Sequence, residues 1–292
     1  MTDAPALSAA PRGRSLWDDA RHRLLSNKAA LAGSVVLGLL FLAAVFGPWL
    51  AGWRFDIVNK SDVWAPPLTA GHLLGADSLG RDLLVRLLMG LRVSLAIGVV
   101  ATAVSLVIGI AWGATAGYAG GRIDEAMMRV VDVLFALPFI FFVILLMVAF
   151  GSSIWLMFVA IGAVEWLTMA RIVRAQTRAL KSKEFVEAAR AAGLAPFQIV
   201  VRHIVPNLLG PVVVYVTLTI PGVIMAESFL SFLGLGVKPP MASLGSLIAN
   251  GAQDMELAPW LLIFPSVVMA ATLMSFNFIG DGLRDALDPK DR

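Results

Sequence analysis

Few side chains in this 292-residue chain have types that could do chemistry, and the notable ones sit where water is scarce. Glu165 lies in an apolar run beside Trp166, and Glu227 ends another. A charged group at mid-bilayer costs about 2.5–3.5 kcal/mol, so an acid kept there is a candidate for gating or for handling polar cargo. Glu165 has a second reading, because Arg171 follows six residues later: an acid near the membrane surface, solvated or ion-paired. Glu227 divides in the same way between gating and interfacial solvation. Asp132, near Arg129, reads as structural. The three histidines (His22, His72, His203) lie far apart, and there is no cysteine. That excludes disulfides, Cys-ligated zinc and iron–sulfur clusters, and no metal site is expected. No G-x-x-x-x-G-K-[ST] loop occurs, so the usual nest for nucleotide phosphates is missing. No Ser–His–Asp or H-E-x-x-H set can be assembled. The 12 methionines read as adaptable packing.

The elements that position these residues are membrane helices. The chain is 59% hydrophobic and only 15% charged, with mean hydropathy +0.83, values no soluble domain carries. Six apolar runs are long enough to cross a bilayer: Ala29–Leu50, Ser94–Tyr118, Val130–Phe150, Ser153–Val173, Leu208–Phe229 and Trp260–Gly280. Gly98, Gly109, Gly113 and Gly117 recur in the second and predict close helix approach. Pro138 and Pro221 lie inside runs and should kink them. With an inside N-terminus, inner segments hold 17 Lys and Arg and outer segments 6. That asymmetry places both termini and the 184–207 loop in the cytoplasm. The basic residues follow this membrane pattern, so a nucleic-acid partner is not expected.

Between two of these runs lies a polar island, Glu184–Asn207. Phe185, Ala188, Ala189 and Ala192 share a helical face. Gly193 should end that helix in the left-handed conformation, and Pro196 should open a second one. Phe197, Val200, Val201 and Ile204 continue the apolar spacing. The expected unit is a helix–turn–helix outside the membrane, shaped to dock. Upstream, His72-Leu-Leu-Gly75-Ala-Asp77-Ser-Leu-Gly80-Arg81-Asp82 precedes a leucine stripe, with Asp77 as the expected cap of a helix at the outer membrane surface. Downstream, Glu227-Ser-Phe-Leu-Ser-Phe-Leu-Gly-Leu-Gly-Val-Lys-Pro-Pro240 predicts a turn and re-entry at the outer face. The chain closes on Gly280-Asp-Gly-Leu-Arg284-Asp-Ala-Leu-Asp-Pro289.

Together these stretches resemble the peptide and nickel branch of ABC-importer permeases, specifically the second transmembrane subunit. The island matches the family's EAA loop, with His203-Ile-Val-Pro206-Asn where most members carry Ile-x-Leu-Pro. The resemblance implies an all-α integral membrane protein of the type I importer permease fold. It would comprise a cytoplasmic tail (1–28), a first span (29–50), an extracytoplasmic loop with a surface helix (51–91), and a permease core (92–292). It also implies roles. Glu187, Ala188, Ala189, Gly193, His203 and Pro206 would couple to ATPase subunits, and Glu227, Pro221 and Glu165 are translocation or gating candidates. The implied partners are a homologous permease, two ATPase subunits holding ATP and magnesium, an extracytoplasmic binding protein and lipid. This chain would itself hold no cofactor and hydrolyse nothing. The implied location is the bacterial cytoplasmic membrane and the implied cargo peptides, with nickel chelates or glutathione as alternatives. A self-sufficient secondary transporter would usually show an internal repeat, and a membrane enzyme would need the missing catalytic set.

Overall fold

The computed structural model describes residues 22–151 and 153–287. Of the lead-in expected around 15–25, residues 15–21 lie outside that range, as do Asp288 and Pro289 of the closing motif. Residues 22–26 are helical, and ten α-helices follow them: α1 (Lys28–Leu50), α2 (Leu83–Ala119), α3 (Gly121–Ala136), α4 (Phe139–Phe150), α5 (Ile154–Lys181), α6 (Glu184–Ala191), α7 (Pro196–Ile199), α8 (Val205–Phe232), α9 (Leu244–Gln253) and α10 (Trp260–Leu287). A π-helical turn, Val200–Ile204, fuses α7 to α8, so one helix runs from Pro196 to Phe232.

Five helices are long and apolar enough to cross a membrane, and the bent pair α3 and α4 makes a sixth if it is one span. The third run, expected as one kinked span, is two helices meeting at 81°. Leu137 is the cause. A residue before proline is driven out of the α region, and Leu137 has ψ 133°. Pro221 behaves differently: α8 continues through it and through Pro211. α5 outlasts its apolar run to Lys181, carrying Arg171, Arg174 and Arg178 on its far turns.

The second helix also differs from expectation. No separate surface helix follows Asp77. α2 starts at Leu83 and runs unbroken to Ala119, capped by Asp82, whose carboxylate accepts the Val85 N–H at 2.9 Å. Asp77 instead closes a tight turn. It accepts the Leu79 and Arg81 N–H groups, binds the Arg81 guanidinium at 2.8 Å and lies 3.2 Å from that of Arg86. Gly80 makes that turn possible with φ +69°, and any Cβ there would strike the Asn59 carbonyl. His72 is buried between Asp82 (2.7 Å) and Asp62 (3.3 Å) with Trp53 stacked on its ring. The histidine-to-aspartate signature is thus the internal bracing of the 51–82 loop.

Packing follows the small residues. On α2, Gly109, Gly113 and Gly117 abut α5, where a Cβ at Gly117 would lie 2.8 Å from the Arg174 carbonyl. Such close approach is what holds helices together where no hydrophobic effect does. Gly98 faces α8 instead, against Ile220 and Ile224. α1 lies on α10, with Gly33 against the Ser275 backbone. Pro48 deprives the Ala44 carbonyl of its helical donor. Arg92 of α2 supplies it, donating to Ala44 (2.8 Å) and Val45 (2.7 Å). At the far end of the spans, α3 is held on α5 by charge. Asp124 takes both ends of the Arg174 guanidinium, and Arg171 binds Asp132 at 2.8 Å.

Candidate functional site

The expected docking element is α6 with its turn. Gly193 has φ +80° and sits at the C′ position. The Gly193 N–H donates to the Arg190 carbonyl (3.0 Å) and the Leu194 N–H to the Ala189 carbonyl (3.2 Å), the two bonds of a Schellman motif. Ala195 has no side-chain acceptor to cap the next helix, but the Gln198 amide oxygen takes the Ala195 N–H at 3.2 Å. The face expected from the apolar spacing divides between core and surface. Val186 and Ala189 point inward with Ile199, Ile204 and Leu208, while Phe185, Ala188 and Ala192 are exposed. Ala188 and Ala192, with Phe185, are therefore the free surface, while Ala189 of the same pattern is buried. Glu187 is exposed beside them and has no ion-pair or hydrogen-bond partner among the described residues.

The loop's closing motif explains the π turn. Pro206 has no N–H to offer and its ring crowds the preceding turn, so the helix widens there. The Val205 N–H reaches back to the Val200 carbonyl. Asn207 then donates from its side chain to the His203 carbonyl at 2.6 Å. His203 therefore contributes through its backbone. Asn207 is the polar residue the spacing argument passed over.

Glu227 lies far from this loop, towards the other end of α8, and is fully buried. Interfacial solvation is thereby excluded. Ser231 donates to one carboxylate oxygen (2.6 Å) and Ser94 of α2 to the other (3.2 Å). Ser94 in turn accepts the Leu244 N–H at 3.0 Å, the first residue of α9. Ser243 caps α9 through Ser246 and lies 3.3 Å from Ser231. One carboxylate thus ties α2 and α8 to the start of α9. That short helix follows the expected re-entry, after α8 ends in a turn at Gly234 (φ +79°), and packs among the spans. The i+4 spacing of Glu227 and Ser231 was a visible signal. Ser94 and Ser243 were not visible, being distant in sequence. Pro221 is buried one helical stretch before Glu227. Glu165 stands apart from both, half-buried on α5 beside Trp166, whose ring meets Trp112 edge-on at 5.3 Å. Its expected partner, Arg171, is engaged with Asp132, and Glu165 has no polar partner among the described residues. No cluster of metal-binding side chains occurs among the described residues.

Residues 105–292 match the family described as binding-protein-dependent transport system inner membrane component. The chain belongs to this permease family. Residues 15–67 of the permease also match the N-terminal transmembrane domain of oligopeptide transport permease C. The oligopeptide transport system permease protein OppC of Escherichia coli K12 is 54% identical over 96% of this chain and 93% of its own length. The protein of the same name from Haemophilus influenzae is 51% identical over 96% and 90%. The dipeptide transport system permease protein DppC of Bacillus subtilis is 43% identical over 95% and 87%. Among solved structures, an inward-facing form of the MetNI methionine ABC transporter superposes with TM-score 0.55. It covers 68% of this chain and 95% of its own at 21% identity, a likeness of fold alone.

Proposed function

We propose that this permease is one of two transmembrane subunits of an ATP-driven importer of peptides. An extracytoplasmic binding protein would deliver the cargo, and separate ATPase subunits would drive the cycle through α6. The observation that carries the reading is the exposed face of α6. Phe185, Ala188 and Ala192 form an apolar strip flanked by Glu184 and Glu187, held at a fixed angle by the Gly193 turn, with nothing among the described residues to cover it. An apolar helical face with charged edges is built for a groove on another protein. The peptide cargo is carried over from relatives named for oligopeptide and dipeptide transport. Glu227 and Pro221 on α8 and the unpaired Glu165 on α5 are the proposed translocation and gating groups. Six crossings enclose no two-sided cavity, so a homologous second permease completes the pathway.

Reconstitution tests this. The purified chain alone should hydrolyse no ATP. Hydrolysis that rises with peptide-loaded binding protein should appear only when a second permease and the ATPase subunits are added. Hydrolysis by the lone, contaminant-free chain would defeat the reading.

The 17-to-6 split of basic residues motivates the orientation, with α6 in the cytoplasm and the 51–82 loop outside. The chain has no cysteine, so single ones can be placed cleanly. In intact cells an impermeant thiol reagent should label Val58→Cys, an exposed site, and spare Ala195→Cys. The reverse pattern would invert the topology.

A further inference from the structure

We propose that an anionic phospholipid occupies the groove between α2 and the α7–α8 junction, with its acyl chains in the groove and its phosphate on Lys181 and Arg190. The groove holds about 850 Å³. Its walls are apolar on both sides: Leu106, Val107, Ile110 and Ala111 on α2, Phe197 and Val201 opposite. Phe197 and Val107 are about three-quarters and two-thirds exposed, so the chain leaves this surface uncovered. The groove ends at Tyr118, in the last turn of α2. An aromatic with a polar tip at a helix end marks the level of the lipid headgroups. Two cations stand over that ring, the Lys181 ammonium at 5.4 Å and the Arg190 guanidinium at 5.7 Å from its centre. Lys181 also donates to the Tyr118 carbonyl. Neither cation has a carboxylate within ion-pair distance among the described residues.

Apolar walls that end in two cations without an ion-pair partner among the described residues match a phospholipid part by part. A helix from a partner protein would match only the walls. Basic pockets between spans at the cytoplasmic face are suited to acidic headgroups. Arg190 adds a consequence. It lies on α6, yet its guanidinium turns back over Tyr118 rather than out beside Glu187. A bound phosphate would therefore join α6 to α2 at the level of the headgroups. This consequence rests on the coupling role proposed for α6; the lipid site does not.

The test uses the full chain assembled with its partner subunits. Complexes in vesicles of phosphatidylcholine with phosphatidylglycerol are extracted in mild detergent, and the retained lipid is identified by mass spectrometry. Wild type should keep phosphatidylglycerol in preference to phosphatidylcholine. Lys181→Gln with Arg190→Gln should lose most of it, and so should Ala111→Trp, which fills the groove. Arg122→Gln, an exposed cation at the same end, should retain it. Equal retention of both lipids by wild type, or undiminished phosphatidylglycerol in the double variant, would overturn the site. So would an Ala111→Trp complex that keeps its lipid but loses its second permease, since the groove would then be a protein interface. Lipid retention is read without hydrolysis, so a failed site and a failed coupling role give different results. If both hold, binding-protein-stimulated hydrolysis should be several-fold higher in vesicles containing phosphatidylglycerol than in phosphatidylcholine alone, and the double variant should lose that difference.

Discussion

Gly193→Val is expected to disconnect ATP hydrolysis from transport while the chain still inserts and pairs. The φ of +80° is the reason, since no atom lies within 4 Å of where a Cβ would stand. The penalty is therefore conformational rather than a clash, about 1–2 kcal/mol for a residue held left-handed. The chain can relieve it only by leaving that conformation. Doing so gives up the bonds to the Arg190 and Ala189 carbonyls and swings α6 away from its present angle. Gly193→Asn, which tolerates the left-handed region, should keep most of the coupling. Glu187→Ala should fail in another way. The turn stays intact, but a carboxylate proposed to meet a basic group in a desolvated groove of the ATPase is lost. Truncating one side of such a pair costs about 2–5 kcal/mol, against under ~1 for a rim contact. Pull-down of the ATPase subunits should weaken for Glu187→Ala. For Gly193→Val, hydrolysis in vesicles should stop responding to loaded binding protein. If both variants dock and respond as wild type does, α6 is not the coupling element.

How much of this was legible in the sequence depended on the range of the interaction. The Gly193 turn and the start at Pro196 were legible because backbone conformation is decided by the residue itself. The spans were legible because the bilayer imposes length and apolarity. The glycine stripe on α2 could be read as a close contact, although nothing local named α5 as the helix it meets. Errors arose where a local rule had two outcomes. Asp77 and Asp82 are both competent caps, and the turn through Gly80 decides between them by using Asp77 for itself. The apolar face of α6 was legible, but not how it divides, because alanine is apolar whether it faces a core or a partner: Ala189 is buried and Ala188 and Ala192 are exposed. Val186, the larger apolar residue, took the inward side. The 81° break at Pro138 was readable as a kink, but its size depends on what α3 is tied to, namely α5 through Asp124 and Asp132. Glu227 was visible as an acid in an apolar run, whereas Ser94 and Ser243, which define its chemistry, reach it only through the fold.

Glu227 should prove separable into a stability role and a transport role. Truncation to Ala leaves a cavity among α2, α8 and α9 and removes the acceptor shared by Ser94 and Ser231. Those hydroxyls are on helices and can turn to the carbonyl four residues back, as Ser266, Thr272 and Ser275 already do. The loss then comes mostly from the cavity and from the loosened start of α9. It should be about 2–5 kcal/mol and appear as a lower melting temperature of the purified complex. Glu227→Leu is the informative variant. It fills the same space, and replacing a buried polar group by an apolar one of similar volume is often neutral for stability, because the polar group was itself costly to bury. If Glu227 only seats α9, Glu227→Leu should melt and transport as wild type does. We expect it to melt normally and transport poorly. An apolar plug holds α9 without the hydrogen bonds to Ser94 and Ser231, and in the proposed gating role it is those bonds that would break and re-form. Glu227→Gln keeps one acceptor and should lie between the two in peptide uptake per ATP hydrolysed. Normal uptake by Glu227→Leu would reduce Glu227 to a structural residue and move the gate elsewhere, with the unpaired Glu165 on α5 as the next group to test.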